Sequence, residues 1–122
     1  MRATERQVGG THYNMPYQPI KFITENNLNF IQGNIVKYVS RYNKKNGIQD
    51  LEKAKHYAEL GLEIEGNQFL VCAGTEVLNY CNANDFSGLQ QRAILKALCK
   101  NYSGAIKVIE VLIENEKSNK NY

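Results

Sequence analysis

Apolar residues recur at spacings of three and four along most of this chain, and this period constrains its fold more than any other feature. The clearest run consists of Ile31, Ile35, Val39 and Tyr42. Because an α-helix turns once in about 3.6 residues, this spacing places apolar side chains on one helical face. No segment favours a strand over a helix. We therefore predict an all-α fold, a compact bundle of about five or six short helices with an irregular N-terminal arm.

Residues that start or stop helices divide this pattern into segments. The predicted starting residues are Pro19, Asn29, Asp50, Ser87 and Ser103. Helix-breaking pairs stand at residues 26–27, 46–47 and 66–67. The predicted helices cover about residues 20–27, 30–44, 51–65, 68–82, 88–100 and 104–115. The fourth segment is unusually apolar, which favours a central or interface position.

The length of 122 residues predicts a single domain spanning 1–122, in which residues 66–122 supply helices for oligomer contacts. The apolar runs are too short to span a bilayer, and the N-terminus lacks the apolar core of a secretory signal, so we expect a cytoplasmic protein. Cys72, Cys81 and Cys99 form no C-x-x-C pair. They are therefore interpreted as buried thiols rather than metal ligands.

The net charge of +3 is concentrated in the first half of the chain. Residues 1–60 contain nine lysines and arginines against five acidic residues. This excess is too small for general nucleic-acid binding, which usually uses a denser basic stripe. A small anionic ligand fits the charge better.

Residues 33–45 form the most basic segment, and on a helix its polar side chains share one face. These are Asn34, Lys37, Tyr38, Arg41 and Lys45. The guanidinium and ammonium groups can hold phosphates, the amide can reach a base or ribose, and the tyrosine can stack. The alternative is an ordinary solvated face. Against it, no acidic residue occurs between Glu25 and Asp50 to pair with these cations.

Two further motifs carry polar side chains that could join a binding site. In Gly9-Gly10-Thr11-His12-Tyr13, the paired glycines let the backbone approach an anion, although His12 could equally be a turn or packing residue. Asp50-Leu51-x-Lys53-Ala54 opens the third helix, where Asp50 is ordinarily a cap and Lys53 a solvated side chain. His56 on the same helix could join a site if that helix packs beside the basic one, although a solvent-facing imidazole is the expectation. Neither standard phosphate-binding signature is present.

Taken together, these motifs resemble a family of small tailed-phage proteins, described as a domain of unknown function or as nucleotide kinases after an early-gene nucleotide kinase of a T-odd coliphage. The shared sequence motifs are G-T-H-Y from Gly10, G-N-I-V-K-Y-V-x-R from Gly33, and D-L-x-K-A-x-x-Y from Asp50. Lys45 and Gly47 lie between the last two motifs. The resemblance covers residues 9–57, and we expect residues 9–65 to form the family-like, nucleotide-binding part of the domain. Residues from Gly66 onward show no such resemblance, and the apolar fourth and sixth helices in this part are expected to supply the oligomer contact.

The resemblance implies a phage or prophage protein that handles nucleotides. The ligand-binding candidates are His12, Tyr13, Asn34, Lys37, Tyr38, Arg41, Lys45, Asp50 and Lys53, with no catalytic or metal-binding residue among them. We expect a protein that sequesters a cyclic nucleotide signal of host defence without turnover, in a pocket completed by a second subunit of a symmetric homo-oligomer.

Two alternatives to sequestration stay open. A nucleoside monophosphate kinase would need ATP and Mg²⁺, with Asp50 holding the metal or a sugar hydroxyl. A non-enzymatic adaptor would bind a host protein through its apolar C-terminal helices and would bind no nucleotide. If Arg41 holds a phosphate, Arg41→Ala should weaken binding while leaving the fold intact.

Overall fold

The structure, a computed structural model, describes residues 2–3, 15–44, 46–72 and 74–119. Within these ranges it contains six helices and no strand, which confirms the all-α prediction. The helices are α1 (Pro19–Glu25), α2 (Phe30–Arg41), α3 (Ile48–Ile64), α4 (Gly74–Ala83), α5 (Gly88–Leu98) and α6 (Tyr102–Asn119). No helix in the described part of the chain is long and apolar enough to cross a bilayer. Most of the N-terminal arm predicted over residues 1–18 lies outside the described residues.

All six helices contribute side chains to one hydrophobic core. Helix α3 lies between α2 and α6, α2 also contacts α5, and α4 packs on α5. Gly61 of α3 permits the closest approach, because a Cβ atom there would lie 2.6–2.7 Å from ring atoms of Tyr102 on α6. Gly33 of α2 likewise faces Ile23 of α1, so its missing side chain admits a neighbouring helix.

Two buried glutamines fix α2 against α5. The Gln32 amide nitrogen donates to the carbonyl oxygens of Ala97 and Leu98 at 3.1 and 3.2 Å. In the opposite direction, Gln90 of α5 donates to the Val39 carbonyl at 3.0 Å. Buried amides need such partners, because an unsatisfied polar group in a core is costly. These bonds hold α2 against α5, while another side of α2 packs on α3.

Several predicted helix boundaries are confirmed. Asn29 and Ser87 each form a capping box, with Gln32 and Gln90 respectively as the third helical residue. Gly47 has the predicted positive φ, 50° with ψ −120°, a conformation open almost only to glycine. The predicted end of the second helix near residue 44 is wrong, because α2 ends at Arg41 and Gly47 is the N-cap residue of α3.

The predicted caps at Asp50 and Ser103 are wrong. Helix α3 begins two residues before Asp50, with Gly47 at the N-cap position. Helix α6 begins at Tyr102, and the Asn101 side chain accepts the Gly104 amide hydrogen at 3.0 Å, which is the capping bond. In both cases a residue slightly earlier in the chain fills the position.

The predicted start of the fourth helix is also wrong, because α4 begins at Gly74 rather than near Gln68. Residues 66–72 are not helical: Gly66 and Phe69 have φ values of 76° and 50°. The Gln68 and Leu70 amides donate to the carbonyls of Lys100 and Cys99 at 3.1 and 2.6 Å. Pairing with the turn between α5 and α6 therefore replaces helical hydrogen bonds in this segment.

Candidate functional site

Side chains of α2 and α3 meet in a group that we call the Tyr38 cluster, defined by Lys37, Tyr38, Arg41, Asp50 and Lys53. On α2, Arg41 follows Tyr38 by three residues and Lys37 by four, so it lies one turn from both. On α3, Lys53 follows Asp50 by three residues, which brings both toward α2. The structure thus assembles five of the nine predicted ligand-binding residues.

Arg41 and Asp50 form an ion pair that joins α2 to α3. The Arg41 Nε and one terminal nitrogen each donate to a different Asp50 oxygen at 3.1 Å. The Asp50 carboxylate is fully buried and also accepts the Asn46 amide hydrogen at 3.3 Å, while the Arg41 side chain is 11% exposed. This two-pronged geometry matches a guanidinium to a carboxylate. The pair therefore has a structural role that the sequence prediction did not include.

The Tyr38 ring is surrounded by three cations. The Lys37 ammonium lies 4.6 Å, the Arg41 guanidinium carbon 4.9 Å and the Lys53 ammonium 5.5 Å from the ring centroid. All three distances fall within the range of cation–π attraction. Because Arg41 is paired with Asp50, Lys37 and Lys53 supply the other positive charges beside the ring among the residues that the structure describes. The cluster therefore combines an aromatic ring with ammonium groups that attract an anion.

Tyr57 of α3 stacks on Tyr38, with the ring centroids 6.1 Å apart and an angle of 16° between the ring planes. Phe30 of α2 meets Tyr57 edge-on at 5.9 Å. Both tyrosines are partly buried and pack against the core. Stacking on Tyr57 holds the Tyr38 ring in one orientation, so the three cations contact a ring of fixed position.

Two depressions are lined in part by residues of the Tyr38 cluster. On the α3 side, an open groove of ≈ 530 Å³ is lined by Tyr38, Gln49, Glu52, Lys53, His56 and Tyr57. On the α1 side, a mainly apolar recess of ≈ 260 Å³ is lined by Gln18, Pro19, Ile20, Ile23 and Lys37. Lys37 thus belongs to the recess, and Lys53 to the groove. Each lysine of the cluster therefore lies at the edge of a separate depression.

The remaining predicted ligand-binding residues are not part of the cluster as described. His12, Tyr13 and Lys45 lie outside the described residues. The Asn34 side chain donates to the Phe30 carbonyl at 2.8 Å, one turn earlier in the same helix. Asn34 is therefore engaged with its own backbone in this structure.

Sequence reasoning missed Tyr57, Gln49 and Glu52 as members of the site, but it left open that His56 could join a site if its helix packs beside the basic one. His56 is exposed, as predicted, and it lines the groove. A signal was available: residues 49, 52, 53, 56 and 57 follow the spacing of one helical face. This polar and aromatic stripe lies beside the apolar stripe of α3.

A second polar network lies near the C-terminal end of α3 and was also missed. The Glu65 carboxylate accepts hydrogen bonds from Asn29, Lys100 and Tyr102 at 3.0, 2.8 and 3.0 Å. Burial opposes its ionisation, but these three donors outweigh burial and lower the pKa of Glu65. Burial and the neighbouring carboxylate raise the pKa of Tyr102. The network connects four segments of the fold, and it lies apart from the residues of the Tyr38 cluster.

The prediction of buried cysteines is confirmed fully only for Cys81, whose side chain lies in the core and whose pKa burial raises to about 11. Cys72 and Cys99 are half-buried free thiols. Their sulfur atoms lie 2.8 Å apart.

Comparison with known proteins adds one match. The model of a family described as a protein of unknown function (DUF3310) matches residues 9–59. The matched range contains every residue of the Tyr38 cluster and ends within α3. No curated protein and no solved structure matches the chain. The similarity to a family of unknown function agrees with that part of the resemblance, and it assigns no activity.

Proposed function

We propose that this is a phage or prophage protein that binds a cyclic nucleotide immune signal, of the cyclic dinucleotide or cyclic ADP-ribose type, and sequesters it without turnover. Sequestration would lower the free concentration of the signal and so inhibit host anti-phage defence. The observation that carries the proposal is the Tyr38 ring with the Lys37 and Lys53 ammonium groups 4.6 and 5.5 Å from its centroid. Ammonium groups bind phosphate, and the tyrosine hydroxyl can donate or accept a hydrogen bond.

The two depressions beside the cluster support a ligand that has planar groups as well as phosphates. The recess beside Lys37 is mainly apolar, as a base or similar ring would require. The groove beside Lys53 offers Gln49 and His56 for hydrogen bonds. Their volumes of ≈ 260 and ≈ 530 Å³ are near the range of about 300–1,000 Å³ typical of small-molecule sites.

A homo-oligomer that completes the pocket belongs to the same proposal, because the groove is open in a single chain. Leu78 of α4 and Val111 of α6 are 44% and 46% exposed. These helices are the ones for which the sequence predicts subunit contacts. Sedimentation at several protein concentrations tests this part, and a monomer at every concentration would refute it.

The buried ion pair favours binding over phosphoryl transfer. A kinase would use Asp50, the only acidic residue of the matched motif, to hold Mg²⁺ or a sugar hydroxyl. Asp50 is fully buried and accepts hydrogen bonds from Arg41 and from the Asn46 amide. A carboxylate committed in this way is poorly placed to receive a solvated ion. We therefore place the nucleoside monophosphate kinase second.

Equilibrium dialysis against a panel of cyclic dinucleotides, cyclic ADP-ribose derivatives and mononucleotides tests the proposed site. For a nucleotide that binds, Lys53→Gln should weaken the affinity at least about tenfold, because a charged hydrogen bond contributes about 1.5–3 kcal/mol. Lys107→Gln is the control, since it removes the same charge from an exposed position of α6. Equal affinities in the two variants would refute the site. Absence of binding by the unmodified protein would refute the function and favour an adaptor.

A further inference from the structure

The Cys72 and Cys99 thiols lie closer together than ordinary non-bonded atoms. Their Sγ atoms are 2.8 Å apart, whereas non-bonded heavy atoms usually stay about 3.5–4.0 Å apart. A disulfide bond measures about 2.03–2.05 Å, so the two sulfurs need to approach by less than about 1 Å to be joined. The pair thus has the proximity that a disulfide requires.

The backbone around the two cysteines holds them in this position. Cys72 is the last residue of the non-helical segment 66–72, and Cys99 is the C-cap residue of α5. The Leu70 amide donates to the Cys99 carbonyl at 2.6 Å, and the Gln68 amide donates to the Lys100 carbonyl at 3.1 Å. These bonds lie two and four residues before Cys72. The proximity of the thiols therefore follows from the pairing of the two backbone segments.

We propose that Cys72 and Cys99 are a reversible redox pair that reacts with small-molecule disulfides such as oxidised glutathione. One cysteine thiolate attacks the small disulfide, forms a mixed disulfide and releases one glutathione thiolate. The second cysteine thiolate then attacks the cysteine sulfur of that mixed disulfide and releases the second glutathione thiolate. The protein loses two electrons and two protons, and the oxidised glutathione is reduced to two glutathione molecules. A dithiol reverses both steps.

Closing this bond would fasten the segment 66–72 to the end of α5. The segment carries Phe69 and Val71, whose side chains are 64% and 101% exposed. Leu70 and Cys72 also line a cavity of ≈ 400 Å³ with Gln32 and residues of the α1–α2 turn. Oxidation would therefore fix one wall of this cavity and the exposed apolar residues beside it.

The environment of Cys72 sets the conditions of the test. Burial and the contact with Cys99 raise the pKa of Cys72 to about 12. Because only the thiolate reacts, exchange should be slow at neutral pH and faster in alkaline buffer. Cys81 is buried in the core and serves as an internal reference.

The test incubates the full chain with oxidised glutathione in mildly alkaline buffer, then counts free thiols after denaturation and maps the linked peptides by mass spectrometry. The chain has three cysteines, so the expected result is a fall from three free thiols to one, with Cys72 linked to Cys99 and no retained glutathione. Cys99→Ser should instead retain glutathione on Cys72, because the second step is blocked. Three unchanged thiols, a link to Cys81, or glutathione retained on the unmodified protein would overturn the proposal.

Discussion

The ion pair between Arg41 and Asp50 should contribute measurably to the free energy of unfolding. Arg41→Ala removes both guanidinium hydrogen bonds from the Asp50 carboxylate, which is fully buried in the unmodified protein, and keeps the bond from the Asn46 amide at 3.3 Å. Removing one partner of a buried ion pair costs about 3–5 kcal/mol, because the other charge is left without compensation. We therefore expect Arg41→Ala to lower the free energy of unfolding by that amount. At about 4 °C for each kcal/mol, the melting temperature should fall by about 12–20 °C.

This expectation replaces the one drawn from the sequence, in which Arg41→Ala weakens ligand binding and leaves the fold intact. Urea unfolding followed by far-ultraviolet circular dichroism measures the change. The double variant Arg41→Ala/Asp50→Ala should be less destabilised than the sum of the two single variants, since it leaves no buried charge. Lys107→Ala is the control and should change the free energy of unfolding by less than about 0.5 kcal/mol.

Two results would refute the reasoning about this pair. The first is a free energy of unfolding for Arg41→Ala within about 0.5 kcal/mol of the unmodified protein, as expected of a solvated arginine. The second is strict additivity of the two single substitutions, which would mean that Arg41 and Asp50 do not interact in solution.

Two further predictions concern the packing of α3. Gly61→Ala should lower the free energy of unfolding by about 1–3 kcal/mol, because its Cβ would lie 2.6–2.7 Å from the Tyr102 ring, despite the better helix propensity of alanine. Gly88→Ala, where a Cβ meets nothing within 4 Å, should be close to neutral; similar urea midpoints for both variants would contradict the clash. The pKa of Glu65 is lower in the folded protein than its unfolded value of about 4.3. Its ionised carboxylate therefore stabilises the fold at pH values above the unfolded pKa, and this stability is lost as the pH falls through the folded pKa. Urea midpoints of the unmodified protein and Glu65→Gln should therefore converge on acidification, and a constant difference would contradict this.

Much of the fold could be predicted from the sequence because its signals are local. The three-and-four spacing of apolar residues gave the helices, and Asn29 and Ser87 gave the capping boxes. The segment 66–72 could not be predicted in this way. Its apolar residues 69–71 fit a helix by composition, but hydrogen bonds to Cys99 and Lys100, distant in the chain, decide its conformation. Such long-range pairing leaves no periodic trace in the sequence.

The candidate site could likewise be predicted only where its features depend on spacing within one helix. The shared face of Lys37, Tyr38 and Arg41 follows from helical spacing within α2. The partner of Arg41 could not be predicted from this spacing. Asp50 near the start of a helix is ordinarily interpreted as a cap, and its pairing with Arg41 depends on how α2 packs against α3. Tyr57 was missed for a related reason, since its role depends on stacking against Tyr38 across the two helices.

The most direct test of the proposed function measures binding and turnover in one experiment. The purified protein is mixed with ATP, Mg²⁺, nucleoside monophosphates and a panel of cyclic nucleotide signals, and chromatography compares the free ligands with the total after heat denaturation. The proposal predicts that one cyclic species disappears from the free pool and is recovered unchanged on heating. New di- or triphosphates would contradict sequestration and indicate a kinase, and a panel that stays free and unchanged would contradict nucleotide binding altogether.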